Sequence, residues 1–127
     1  MSDLLMSHDV SFDEDLFVIR VKHWGQATIE DFKEARDRVV QIQETRGTGD
    51  VIVDLREVMI APPTMDIFQF ASELPIQLRI AMVFSEDTQE DIRFLETVAF
   101  NRGRNINMFD NEPDALNWLG KQPSGQS

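Results

Sequence analysis

Five consecutive residues, Val51-Ile52-Val53-Asp54-Leu55, constrain this chain more than any other feature. They run without polar alternation, the pattern of a strand that is covered on both faces. A strand of that kind belongs in the middle of a sheet with helices on either side. Gly47 and Gly49 punctuate the chain before it, and Pro62-Pro63 ends any strand after it, because proline cannot donate to a ladder. The same prolines suit the first turn of a helix, where amide hydrogens have no partner within the helix.

The rest of the chain repeats this rhythm. Val10 to Trp24 reads as a hairpin turned at Asp13-Glu14-Asp15, with Phe17, Ile19 and Val21 alternating against Val18, Arg20 and Lys22 and with His23 continuing the buried register. Thr28 with Asp31 makes a capping box, and Ile29, Phe32, Ala35, Val39 and Ile42 follow at helical spacing, so a helix is predicted over residues 29–45. Its outer face, from Glu30 to Arg38, is a mixed-sign solvated surface. A second helix opens at Pro62-Pro63, carries Ile67, Phe70, Ala71 and Leu74 as its stripe and closes at Pro75; Arg79 to Phe84 is the next buried strand.

Ser85, Asp87 or Thr88 can cap a third helix with the stripe Ile92, Leu95, Val98 and Ala99, terminated at Gly103. Ile106 to Phe109 is a last short strand, and Asp110-Asn111-Glu112-Pro113 opens a final helix whose apolar side is Ala115, Leu116, Trp118 and Leu119. The expected fold is α/β, a mixed and mostly parallel sheet of about five strands with four helices, opening with a β-hairpin. One domain is expected over residues 10–119, after an N-terminal extension at 1–9 and before a tail at 120–127, GKQPSGQS, with the composition of disorder.

Composition excludes several classes of function. The chain of 127 residues carries 12 basic against 23 acidic side chains, a formal net charge of -11, which repels phosphate backbones and anionic lipids. Nucleic acid is therefore not an expected partner; the densest basic stretch, Arg102 to Arg104, reads as a solvated helix end. No apolar run approaches the roughly 20 residues of a membrane span, and the first ten residues lack the pattern of a signal peptide, so a cytoplasmic protein is expected. Without cysteine there is no disulfide framework, thiolate nucleophile or zinc-thiolate site. His8 and His23 show no metal-ligand spacing, and His23 reads as a hydrogen-bonded structural residue. No phosphate-loop glycine pattern, nucleophile elbow or selected carboxylate pair is present. The sequence thus names no catalytic, cofactor-binding or metal residue, and no enzyme is expected.

The segments VIVDLREV and INMFDNEPDALNWL, in this order of elements, resemble the anti-sigma-factor-antagonist (STAS) family, and in particular its SpoIIAA-like branch of small bacterial proteins. The resemblance covers residues 10–119 and rests on the strand ending Asp54-Leu55 with Val58 following, and on Phe109-Asp110 before a helix with Ala115-Leu116 and Trp118-Leu119. It implies a regulatory, non-enzymatic module acting by protein–protein contact. Family members that switch partners carry an Asp-Ser-Ser-Gly-type motif before the second helix, which provides a phosphorylatable hydroxyl. Here Pro62 falls on the acid, Pro63 and Thr64 on the two hydroxyl residues and Met65 on the glycine, so Thr64 alone keeps the chemistry.

Thr64 is accordingly the candidate phosphoacceptor, or else the hydroxyl cap of the second helix. Met65 and Phe68 lie on the flank of that helix's stripe, and with Pro62 and Pro63 they form a candidate apolar face. Phe94 and Phe100 stray from the third helix's stripe in the same way. Two readings of this face stand: contact with a protein partner or a second copy of the chain as a homodimer, or a crevice between the second and third helices for a small apolar or lipid-like ligand. Asp54, read as ending the central strand at the sheet's carboxyl edge, is expected to receive loop amides, and Trp118 to pack on the sheet.

Overall fold

A computed structural model describes residues 7–85 and 105–121. Five strands, β1 (His8–Asp13), β2 (Val18–Gln26), β3 (Asp50–Ile60), β4 (Arg79–Val83) and β5 (Asn105–Phe109), form one sheet in the order β1-β2-β3-β4-β5. β1 and β2 pair antiparallel, and the remaining neighbours pair parallel. Three described helices accompany them: α1 (Ile29–Arg46), α2 (Thr64–Ser72) and α3 (Glu112–Trp118). The third helix expected from the sequence, with its stripe from Ile92 to Ala99, lies outside the described residues.

The apolar run in β3 packs on both sides, as a central strand must. Val51, Val53 and Leu55 join the cluster built with Phe32, Ala35 and Val39 of α1 and Ile67, Phe70 and Ala71 of α2. Ile52 joins Val18, Ala81 and Val83 beneath Ala115, Leu116 and Leu119 on the opposite face. Burying one such side chain stabilises the fold by about 1.5–3 kcal/mol, so these two layers dominate its stability.

Local chemistry sets the boundaries. Thr28 Oγ1 accepts the Asp31 amide at 3.1 Å while Asp31 Oδ2 accepts the Thr28 amide at 3.1 Å, closing the capping box that starts α1. Gly47, at φ 75°, ends it by donating to the Gln43 carbonyl at 2.9 Å, a left-handed cap that suits glycine. Asn111 caps α3 through the Asp114 amide at 2.8 Å, just before Pro113.

The hairpin differs from the sequence reading at two places. Phe17 is a turn residue at φ 55°, half exposed and edge-on to Phe12, and does not share the buried register of Ile19 and Val21. The reason is the turn itself, which Asp13 fixes by accepting the Leu16 amide at 3.0 Å and Arg20 Nε at 2.9 Å. β1 also begins at His8, inside the stretch read as an N-terminal extension. At the other end, Lys121 donates its amide to Leu116 and its ammonium to Asp50, so the ordered chain runs past residue 119.

Candidate functional site

β3 outlasts its neighbour. β4 ends at Val83, opposite Asp54, whereas β3 continues to Ile60, supported from Glu57 onward by Trp24, Gly25 and Gln26 of β2. Two register shifts place extra residues on β3 within this overhang, and Gly25, on β2 beside the second, takes a left-handed φ of 62°. A bulge re-aims side chains, and Met59, the residue passed over between Val58 and Ile60, is 78% exposed. Ile60 is 54% exposed, Met65 in the first turn of α2 is 75% exposed, and Trp24 is partly exposed on the neighbouring strand. An apolar tip therefore stands at the junction of β3 and α2.

This tip changes the membership of the face expected from the sequence. Met65 and Pro63 lie on the surface, but Pro62 is buried and drops out. It lies where the chain turns from β3 into α2. Met59, Ile60 and Trp24 were missed because the strand was read as stopping at Leu55; the signal was the apolar run Val58 to Ala61 after the charged Arg56-Glu57. The residue capping α2 is Pro63, in extended backbone and without a side-chain bond, so Thr64 is the first helical residue and not its hydroxyl cap. The side chains of Thr64 and Phe68, and all of Phe94 and Phe100, lie outside what the structure describes.

A second locus joins the two histidines, which sequence spacing kept apart. They are direct partners across β1 and β2, with ring centroids 5.7 Å apart. His8 Nδ1 donates to Asp31 Oδ1 at 2.9 Å, and its buried Nε2 makes no hydrogen bond, with Glu34 Oε1 at 3.5 Å. Burial works to raise the Asp31 carboxyl, but hydrogen bonds from Thr28, His8 and Ser7 outweigh it and hold the group below its usual range. His23 packs edge-on against Phe32 at 4.8 Å and is buried, yet its Nδ1 has no partner, contrary to the expected hydrogen-bonded residue. Burial, with the neighbouring His8, pushes its pKa down to about 4. His23 also lines a cavity of about 50 Å³ between the sheet, α1 and α2.

The opposite face of the sheet carries a polar groove lined by Asp9, Arg20, Lys22, Asp54 and Glu112. Asp54 lies within β3 and not at its end, and its carboxylate accepts the Arg56 amide, Nε and Nη2 at 2.9–3.0 Å. Arg20 bridges Asp13 and Glu112, and Lys22 pairs with Glu57 at 2.8 Å. Arg20, Lys22, Asp54 and Glu112 are thus each engaged in an ion pair, which reads as structural. Trp118 packs against Phe109 on β5, with the Arg79 guanidinium over its ring. Among the described residues no group of three His, Cys, Asp or Glu side chains could hold a metal ion, and no helix is long and apolar enough to cross a membrane.

Comparison with known proteins supplies the class of fold. No family model matches the sequence, and no curated protein matches it. Among solved structures, the chain is similar to an uncharacterized protein of the DUF3478 family with a SpoIIAA-like fold from Shewanella loihica PV-4. The two share 16% identity and a TM-score of 0.60, over 89% of this chain and 92% of that one. The fold is SpoIIAA-like, in agreement with the STAS-type resemblance of its sequence segments.

Proposed function

We propose that this protein is a non-enzymatic regulatory module that binds a partner protein through the apolar tip at the junction of β3 and α2. The observation that carries the reading is the exposure of Met59, Ile60 and Met65 within seven residues of chain, flanked by Trp24. Exposed apolar side chains grouped in this way mark interaction surfaces, and methionine adapts its unbranched chain to the shape it meets. The resemblance to STAS-type antagonists, which act by protein contact, supports the same reading. The setting we assign is the bacterial cytoplasm.

A second copy of the chain is one partner this surface could take, and sedimentation velocity of the purified protein across a concentration series separates that case from a different partner. Met65→Asp adds a charge to an exposed position, so the unfolding free energy should stay within about 0.5 kcal/mol of wild type. Its effect should fall on association, with self-association or partner binding reduced at least tenfold. Unchanged association in a folded variant would remove the tip from the account. The alternative crevice for a lipid-like ligand, lined by Phe94 and Phe100, falls outside the described residues.

A further inference from the structure

We propose that Met59 and Met65 form a reversible oxidation site, at which a peroxide switches off partner binding by the tip. The inference rests on the tip being the binding surface and names how that surface is regulated. The two residues are 78% and 75% exposed. Met82 in β4 is 6% exposed, and Met108 in β5 is partly buried against the core. The remaining methionines, Met1 and Met6, lie outside the described residues.

The chain has no cysteine, so no thiolate competes for a mild oxidant, and the thioethers are its most readily oxidised side chains. With hydrogen peroxide, a sulfur lone pair attacks one peroxide oxygen. The S–O bond forms as the O–O bond breaks, and the proton of the attacked oxygen passes to the departing one, which leaves as water. Sulfur is oxidised by two electrons and the peroxide is reduced by the same two. Exposure orders the sulfurs: peroxide reaches Met59 and Met65 from solvent, whereas Met82 is reached only when the core opens.

The product changes what the tip can do. A thioether is apolar and adaptable, whereas a sulfoxide carries a strongly polar oxygen that needs a hydrogen-bond donor. Covered by an apolar partner surface, that oxygen loses its water and gains nothing in return, so association weakens. The fold is spared. β3 is held here by its backbone, with the Ala27 amide on the Ile60 carbonyl at 2.8 Å, and neither methionine belongs to the two core clusters. Sulfoxide reductases return methionine with electrons from thiols, which makes the change reversible.

The test treats the full wild-type chain with limiting hydrogen peroxide and maps the sulfoxides by peptide mass spectrometry. Self-association by sedimentation and retention of a partner from a bacterial extract are measured before and after. The expected result is oxidation of Met59 and Met65 at least about fivefold faster than Met82, with unchanged circular dichroism. Association should fall at least about tenfold and return after treatment with methionine sulfoxide reductases and dithiothreitol. In Met59→Leu/Met65→Leu, compared with its own untreated form, peroxide should change association less than about twofold. If that variant binds too weakly to follow, recovery of the wild type on reduction, with sulfoxide mapped only to the tip pair, decides the matter. Oxidation of Met82 as fast as the tip pair, association that survives oxidation of both tip sulfurs, or an equal loss in the Leu variant would overturn the switch and leave the tip standing. No association by the untreated wild type would remove the tip reading, and the switch with it.

Discussion

His8 and His23 face each other across the β1–β2 pair at a ring separation of 5.7 Å, and only His8 has a carboxylate. The Asp31 side chain that accepts its hydrogen bond also closes the capping box of α1. The edge strand, the start of the long helix and the buried histidines are therefore one connected polar structure. Its buried ring nitrogens without a hydrogen-bond partner are His8 Nε2 and His23 Nδ1.

Stability should fall on mild acidification because of His23. Unfolded, the ring binds a proton near its ordinary 6.5; folded, burial and the neighbouring His8 hold it neutral down to about 4. Between those values the unfolded chain binds more protons, so the folded state loses stability as pH drops from 6.5 towards 4. At about 1.36 kcal/mol per pH unit, the loss from this residue is on the order of 3 kcal/mol. Urea unfolding at pH 7.5 and 4.5 measures it, and His23→Phe should flatten most of the difference. An equal slope in the variant would mean that other groups titrate in that window.

The capping box should be worth more than an ordinary cap. Thr28→Ala removes a helix cap and should cost about 1–2 kcal/mol. Asp31→Ala keeps the bond from the residue 31 amide to Thr28 Oγ1 but removes the acceptor of the Thr28 amide and leaves the buried His8 Nδ1–H without a partner, so its cost should reach about 3 kcal/mol or more. Because the two residues share hydrogen bonds, the double variant should fall short of the sum by at least about 0.5 kcal/mol. Strict additivity in denaturant unfolding would show that they act independently.

Gly49 is required by close approach. A Cβ at this position would meet the Gln77 carbonyl oxygen at 2.6 Å, a backbone atom that cannot swing aside. Arg79 donates its amide to the Gly49 carbonyl at 2.8 Å, which holds the two segments together at the start of β3 and β4. Gly49→Ala should therefore destabilise the fold by about 1–3 kcal/mol, measured by thermal or urea unfolding. A variant as stable as wild type would show that the 76–78 turn can shift without cost.

Most of the fold was legible because its signals are local. The Thr28–Asp31 box, the Gly47 terminator, Asn111 before Pro113 and the unalternating run in β3 each act within a few residues, and each lies where the sequence placed it. The site was harder to read because its parts depend on pairing. Nothing in the spacing of His8 and His23 says that they meet, since the strand register brings them together. The exposure of Met59 follows from a bulge in β3, and the burial of Pro62 from the turn that follows it. Asp54 shows the same limit: its charge was visible in the sequence, but its partner Arg56 lies two residues further along a strand that continues past the expected end.

The central claim, that the β3–α2 tip is the binding surface, is tested most directly by quantitative capture from a bacterial extract with wild type and Met59→Asp/Met65→Asp as baits, both shown to be folded. The account predicts a protein, or a second copy of the chain, held by wild type at least tenfold more than by the double variant. Equal retention by both baits, or no specific retention and no self-association by wild type, would contradict it.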